Sequence, residues 1–218
     1  MAKKRAAKIL HILKENFSLP QWTSSRRDGF QTLIRTVLSQ ATANRNTTRA
    51  FENLSKRFSI TPEALAEADE KDIEKAIRVA GLYRNKSKVI KALSHTILER
   101  FDGSLDFIHS LPLEETRRLL MGLPGVGPKT ADVVLLFSAR KPTFPVDTHV
   151  NRVSKRLGLA PLDADYEGVR RALQSLYPPK DYLAAHLLLI SIGRKYCRAR
   201  IPQCRLCPVN ALCPSKKY

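Results

Sequence analysis

A chain of 218 residues, 43% hydrophobic and 27% charged, is long enough to bury a substantial core in one domain or two closely associated ones. No apolar run approaches the roughly 20 residues that span a bilayer, and the basic, amphipathic stretch from Met1 to Phe17 lacks the unbroken apolar core of a signal peptide, so a membrane or exported protein is not expected. Lys and Arg outnumber Asp and Glu by 38 to 20, a net charge of +18 whose self-repulsion calls for a polyanionic partner, and 7% aromatics are too few for a single-strand stacking platform, which leaves duplex backbone.

In chain order, Ile9, Leu10, Leu13 and Phe17 form a helical stripe, followed by Phe30, Leu33, Ile34, Val37 and Leu38, and then by Phe51, Leu54 and Phe58. Thr61-Pro62-Glu63 reads as an N-cap with proline at the first helical position. Val89, Ile90, Leu93, Ile97 and Leu98 predict a long helix ending near Phe101, with Gly103 just beyond. One helix is expected to end at Met121 and the next to start at Pro128. Val150, Val153 and Leu157 line another, stopped at Gly158. Leu183 to Ile192 is apolar enough to be buried on most sides. With no alternating strand in view, the expectation is an all-α protein of about ten helices, closing on a short basic tail at Lys216 and Lys217.

Two local patterns carry chemistry. Leu123-Pro124-Gly125-Val126-Gly127-Pro128-Lys129-Thr130 places two glycines between helices, where backbone amides can face outward at the positive end of a new helix and hold a phosphate. The bland alternative is an ordinary helical hairpin. Lys129 in the first turn of that helix sits against a positive dipole, where an amine's pKa falls and a nucleophile becomes available. Asp147, in Val146-Asp147-Thr148-His149, reads either as a helix cap or as the carboxylate partner of that amine.

The only cysteines, Cys197, Cys204, Cys207 and Cys213, fall within seventeen residues at 6-2-5 spacing. Four thiolates suit zinc or an iron–sulfur cluster. A single CxxC pair and uneven gaps favour a loop around a [4Fe–4S] cube over zinc, and both over two disulfides.

Taken in order, residues 123–131, 146–149 and the four cysteines resemble the endonuclease III family, the iron–sulfur branch of the helix–hairpin–helix DNA glycosylases, across nearly the whole chain. Leu38-Ser39-Gln40-Ala41-Thr42 is similar to the family segment whose glutamine enters the duplex. Gly81-Leu82-Tyr83 is similar to the loop whose apolar residue wedges the opposite face. Without the family these would read as a polar helix end and a short turn.

The resemblance implies a two-domain glycosylase fold: a six-helix domain at 22–141 with the hairpin motif, and a helical domain of 1–21 and 142–218 with a [4Fe–4S] cluster on the four cysteines. It implies excision of oxidised pyrimidines from double-stranded DNA and nicking at the abasic site by β-elimination, with Lys129 and Asp147 catalytic. Gln40, Leu82, the hairpin at Gly125, Val126 and Gly127, and the loop cations Arg198 and Arg200 would contact DNA. A monomer in a prokaryotic cytoplasm, associated with the nucleoid, is expected.

Ala43 and Asn44 depart from the family, whose oxidised-pyrimidine enzymes often carry an acidic residue after Gln-Ala-Thr, and Asp132 has no assigned role. A mismatch- or uracil-type glycosylase with a different pocket remains an alternative. So does a non-enzymatic hairpin DNA-binding protein, although a binder needs neither Lys129 nor Asp147.

Overall fold

The computed structural model describes residues 1–20 and 28–216 and contains no strand among them. Twelve α-helices and several 3-10 turns appear in the described residues, slightly more than the periodicity suggests, because short helices leave little stripe to read. The chain divides into two compact units, Met1–Ser25 with Pro142–Tyr218, and Arg26–Lys141. The domain boundary expected at residue 22 and the tail residue Lys217 lie outside the described residues.

The unit Arg26–Lys141 carries α2 (Gly29–Ser39), α3 (Asn44–Arg57), α4 (Pro62–Glu67), α5 (Glu70–Ile77), α6 (Tyr83–Phe101), α7 (Phe107–Ser110), α8 (Leu113–Met121) and α9 (Pro128–Phe137). Side-chain caps set several starts. Asp28 accepts from the Gln31 amide, Thr61 from Ala64, and Asp69 from Lys71 and Asp72, each satisfying donors that a helix leaves unpaired. Helix α6 stops where Asp102 and Gly103 turn left-handed, as the sequence anticipates.

One apolar core joins Leu33, Ile34, Val37 and Leu38 of α2 to Leu54, Ile77, Ile90, Leu93, Ile97, Leu120 and Val134, all fully buried. Burial of each such side chain stabilises by roughly 1.5–3 kcal/mol, so this core outweighs any surface ion pair in the unit.

The second unit holds α1 (Ala2–Asn16), α10 (Thr148–Arg156), α11 (Tyr166–Leu176) and α12 (Tyr182–Lys195), followed by the cysteine segment. Helix α10 packs on α11 and α12, and α1 on the same two. None of residues 182–193 is exposed, as the apolar run from Leu183 to Ile192 predicts. The α1 stripe is buried at Ile9, Leu10 and Leu13, while Phe17 leaves the helix and sets its ring edge-on to Tyr196 at 6.2 Å.

Candidate active site and nucleic-acid interface

Helix α8 ends at Met121 and α9 begins at Pro128, the two positions read from the sequence. Between them the Leu123 amide bonds Leu120 O (3.1 Å) and the Val126 amide bonds Leu123 O (3.2 Å), folding the link into a tight turn. Gly125 sits at φ +71°, and a Cβ there would come within 2.5 Å of Val89 Cγ1, so both torsion and space demand glycine. Gly127 faces open space, and any side chain would project into the region a ligand would use.

The amides of Gly125 and Gly127 carry no hydrogen bond among the described residues and are exposed, which suits anion binding at a helix start. Val126, between the two glycines, is placed differently from them. Its amide is already engaged in the turn and its side chain, 6% exposed, is buried in the core, so it anchors the hairpin and leaves donation to its neighbours.

Lys129 is the second residue of α9 and half-buried. Asp132, one turn further along α9, is fully buried and accepts from Arg117 Nε of α8 at 2.9 Å. That ion pair braces the two helices flanking the hairpin. The role missing from the sequence reading of Asp132 is therefore structural, found only when its partner fifteen residues away is seen.

Two further features of this unit stand at loop ends. Gln40 follows α2 and is exposed, and its Nε2 donates to Gly125 O over a long 3.4 Å, so Gln40 and the hairpin share one surface. Leu82 is 62% exposed and left-handed at φ 48°, directly after Gly81 at φ 66°. A bulky apolar side chain is thus held outward by a backbone conformation that is strained for leucine.

Asp147 belongs to the other unit. It is the N-cap of α10, its Oδ1 accepting the Val150 amide at 2.7 Å, while Oδ2 carries no hydrogen bond among the described residues. The cap reading is thus borne out. The approach to Asp147 is pinned from α12. Phe144 is fully buried against Tyr182 (5.6 Å) and His186 (6.2 Å), and His186 Nδ1 donates to Pro145 O at 2.9 Å. Two residues beyond Asp147, His149 Nδ1 accepts from Arg152 at 3.1 Å, and burial holds its pKa below the usual imidazole range.

All four cysteines line one cavity of about 300 Å³, and none is disulfide-bonded. No three acidic, cysteine or histidine side chains among the described residues converge closely enough for a single ion. Four thiol groups around one cavity form a donor set that fits a soft metal centre. Burial pushes the Cys207 and Cys213 thiols above their ordinary range.

Arginines missed by the sequence reading hold this segment. Arg152 Nε donates to Cys197 O (3.0 Å). Arg156 donates to Arg198 O (2.7 Å), Ala199 O (2.9 Å) and Cys197 Sγ (3.5 Å). Arg5 of α1 bonds Leu157 O (2.7 Å), Gly158 O (2.6 Å) and Leu212 O (3.1 Å). With these cations spent on backbone, Arg198, Arg200 and Arg205 remain exposed to solvent on the same segment.

Known proteins agree with this geometry. The HhH-GPD superfamily of base excision DNA repair proteins matches residues 34–179. Endonuclease III of Sulfolobus acidocaldarius is 36% identical over 188 residues, covering 86% of this chain and 82% of its own. Endonuclease III of Synechocystis is 36% identical over 214 residues, with 98% and 93% covered. Among solved structures, a trapped endonuclease III–DNA covalent intermediate superposes with a TM-score of 0.84 at 32% identity, covering 98% of this chain and 96% of that one. A thermostable thymine-DNA glycosylase shares the fold, with a TM-score of 0.75 at 22% identity. No helix among the described residues is long and apolar enough to cross a membrane.

Proposed function

The chain belongs to the endonuclease III family of helix–hairpin–helix base excision DNA repair proteins, and on that premise we propose that it excises oxidised pyrimidines from duplex DNA and then nicks the abasic site. Its enzymatic class is that of a bifunctional DNA glycosylase and abasic-site lyase. The observation that carries the lyase half is a half-buried lysine in the first turn of α9, immediately after a glycine hairpin with two unpaired amides.

The base must leave the stack, at a cost of a few kcal/mol that is lower for a damaged base. Gln40 and Leu82, both exposed at loop ends, fill the vacated space. The amides of Gly125 and Gly127 hold the backbone phosphate. Neutral Lys129 attacks C1′ and the base departs. Asp147 accepts the proton of the incoming amine through its open oxygen and stabilises positive charge on the sugar. The product of that displacement is an aminal; cleavage of its C1′–O4′ bond, with O4′ taking up a proton, opens the sugar ring to a Schiff base, which acidifies the C2′ hydrogen, whose loss expels the 3′ phosphate by β-elimination.

Cys197, Cys204, Cys207 and Cys213 would hold a [4Fe–4S] cluster. With every iron ligated by protein, such a cluster supplies shape to the loop carrying Arg198, Arg200 and Arg205 and leaves no open coordination site.

Borohydride present during reaction tests the nucleophile. It should reduce the imine to a protein–DNA cross-link that survives a denaturing gel, as a covalent intermediate has been trapped for a relative. Lys129→Gln should lose both cross-link and strand cleavage while still binding abasic duplex. Retained lyase activity in that variant would remove Lys129 from the mechanism.

A further inference from the structure

Lys86, a residue no motif selects, is 3% exposed. A buried ammonium is expensive, and an aliphatic side chain would fill the same space at less cost. Its three protons go to three neutral oxygens: Leu38 O (3.0 Å), Thr42 Oγ1 (2.7 Å) and Ala80 O (3.1 Å). Burial lowers its pKa.

The choice of acceptors is informative. Leu38 O belongs to the last turn of α2, and Ala80 O closes the 3-10 turn Arg78–Ala80, so one cation faces the negative ends of two helical segments. Thr42 Oγ1 donates onward to Ala80 O, closing the network between the two loops. Two residues beyond Leu38 stands Gln40, and two beyond Ala80 stands Leu82. The backbone takes positive φ at Ala41 (51°), Gly81 (66°) and Leu82 (48°), which glycine adopts freely but which costs energy at Ala41 and Leu82 and persists there only where the surroundings impose it.

We propose that Lys86 is a positioning residue that locks the Gln40 loop to the Leu82 loop, so that both wedges enter the duplex as one preorganised unit. The proposal rests on the reading of Gln40 and Leu82 as wedges. Preorganisation matters here because two loops ordered only on contact would lose their conformational freedom at the moment of base extrusion. Lys86 itself touches neither substrate nor the reacting atoms.

The test compares single-turnover base removal with cleavage at a pre-formed abasic site, where no base remains to be extruded. Lys86→Met should slow base removal by about tenfold and abasic cleavage by less than about twofold, the size expected of neighbours sharing one hydrogen-bond network. In a Gln40→Ala/Leu82→Ala background it should add less than about twofold to either rate, because nothing is left to position.

Equal losses on both substrates, or full multiplication of effects in the wedge-less background, would overturn the proposal in favour of a purely structural lysine. Should Lys86→Met fail to fold, Thr42→Val removes one arm of the network with an isosteric side chain and is read by the same criteria. If Leu82→Ala slows base removal selectively and the lock variants do not, only the lock falls. If Leu82→Ala shows no selectivity, the wedge reading falls and the lock with it.

Discussion

Asp147 occupies a position where structure and catalysis make opposite forecasts for one substitution. Its Oδ1 accepts the Val150 amide at 2.7 Å as the N-cap of α10. Asparagine offers the same acceptor in the same place, so Asp147→Asn keeps the cap and loses only the favourable charge at a helix N-terminus, about 0.3–1 kcal/mol. For a chain of this size that lowers the melting temperature by roughly 1–4 °C. Asp147→Ala removes cap and charge together and should cost about 1–2 kcal/mol. The chemistry responds on another scale. Loss of a positioned acid–base group slows base removal by about 10²–10⁴-fold. That corresponds to about 3–5 kcal/mol of transition-state stabilisation. Single-turnover base release from a thymine glycol duplex, measured beside thermal unfolding by circular dichroism, separates the two scales. A well-folded but slow Asp147→Asn is the expected result. If that variant is nearly as active as the wild-type protein, while Asp147→Ala is impaired only in proportion to its lost stability, Asp147 is a cap and the proton acceptor must be sought elsewhere.

Three further outcomes are expected. Asp132→Asn removes the carboxylate charge from the buried Arg117–Asp132 pair, which should cost about 3 kcal/mol in urea unfolding, and a loss below about 1 kcal/mol would show that the pair does not brace the hairpin helices. Freshly purified protein should be brown, with iron and acid-labile sulfide each near about four per chain, and Cys204→Ser should be poorly soluble or bind duplex weakly. Colourless, active protein with one zinc would overturn the cluster assignment. Arg200→Ala should weaken duplex binding at low salt and reduce the slope of log K against log salt by about 0.9, the contribution of one phosphate contact, whereas an unchanged slope would place Arg200 away from the backbone.

Much of this protein is written locally in its sequence. The hairpin ends at Met121 and Pro128, the Thr61 cap, the left-handed stop after Phe101 and the buried run from Leu183 to Ile192 all follow from torsional preferences and from hydrogen bonds spanning a few residues. The cysteine set and the order of motifs around Lys129 and Asp147 are legible for the same reason: a spacing is a property of the chain itself. Short helices such as α7 escape because four residues carry too little periodicity.

What the tertiary structure decided is which side chains meet across long stretches of chain. Lys86 belongs to no motif and stands out only when it is found 3.0 Å from Leu38 O. Asp132 has no role until Arg117 lies against it. Val126 reads like its glycine neighbours until its amide is seen to bond Leu123 O. Arg152 and Arg156 are two cations on a basic helix until their hydrogen bonds to the Cys197 segment are traced. A lysine or arginine carries the same charge in solvent as in a core, and pattern alone favours solvent. Only the folded packing says where burial leaves an ammonium with carbonyls to face, and those contacts connect residues that no local rule relates.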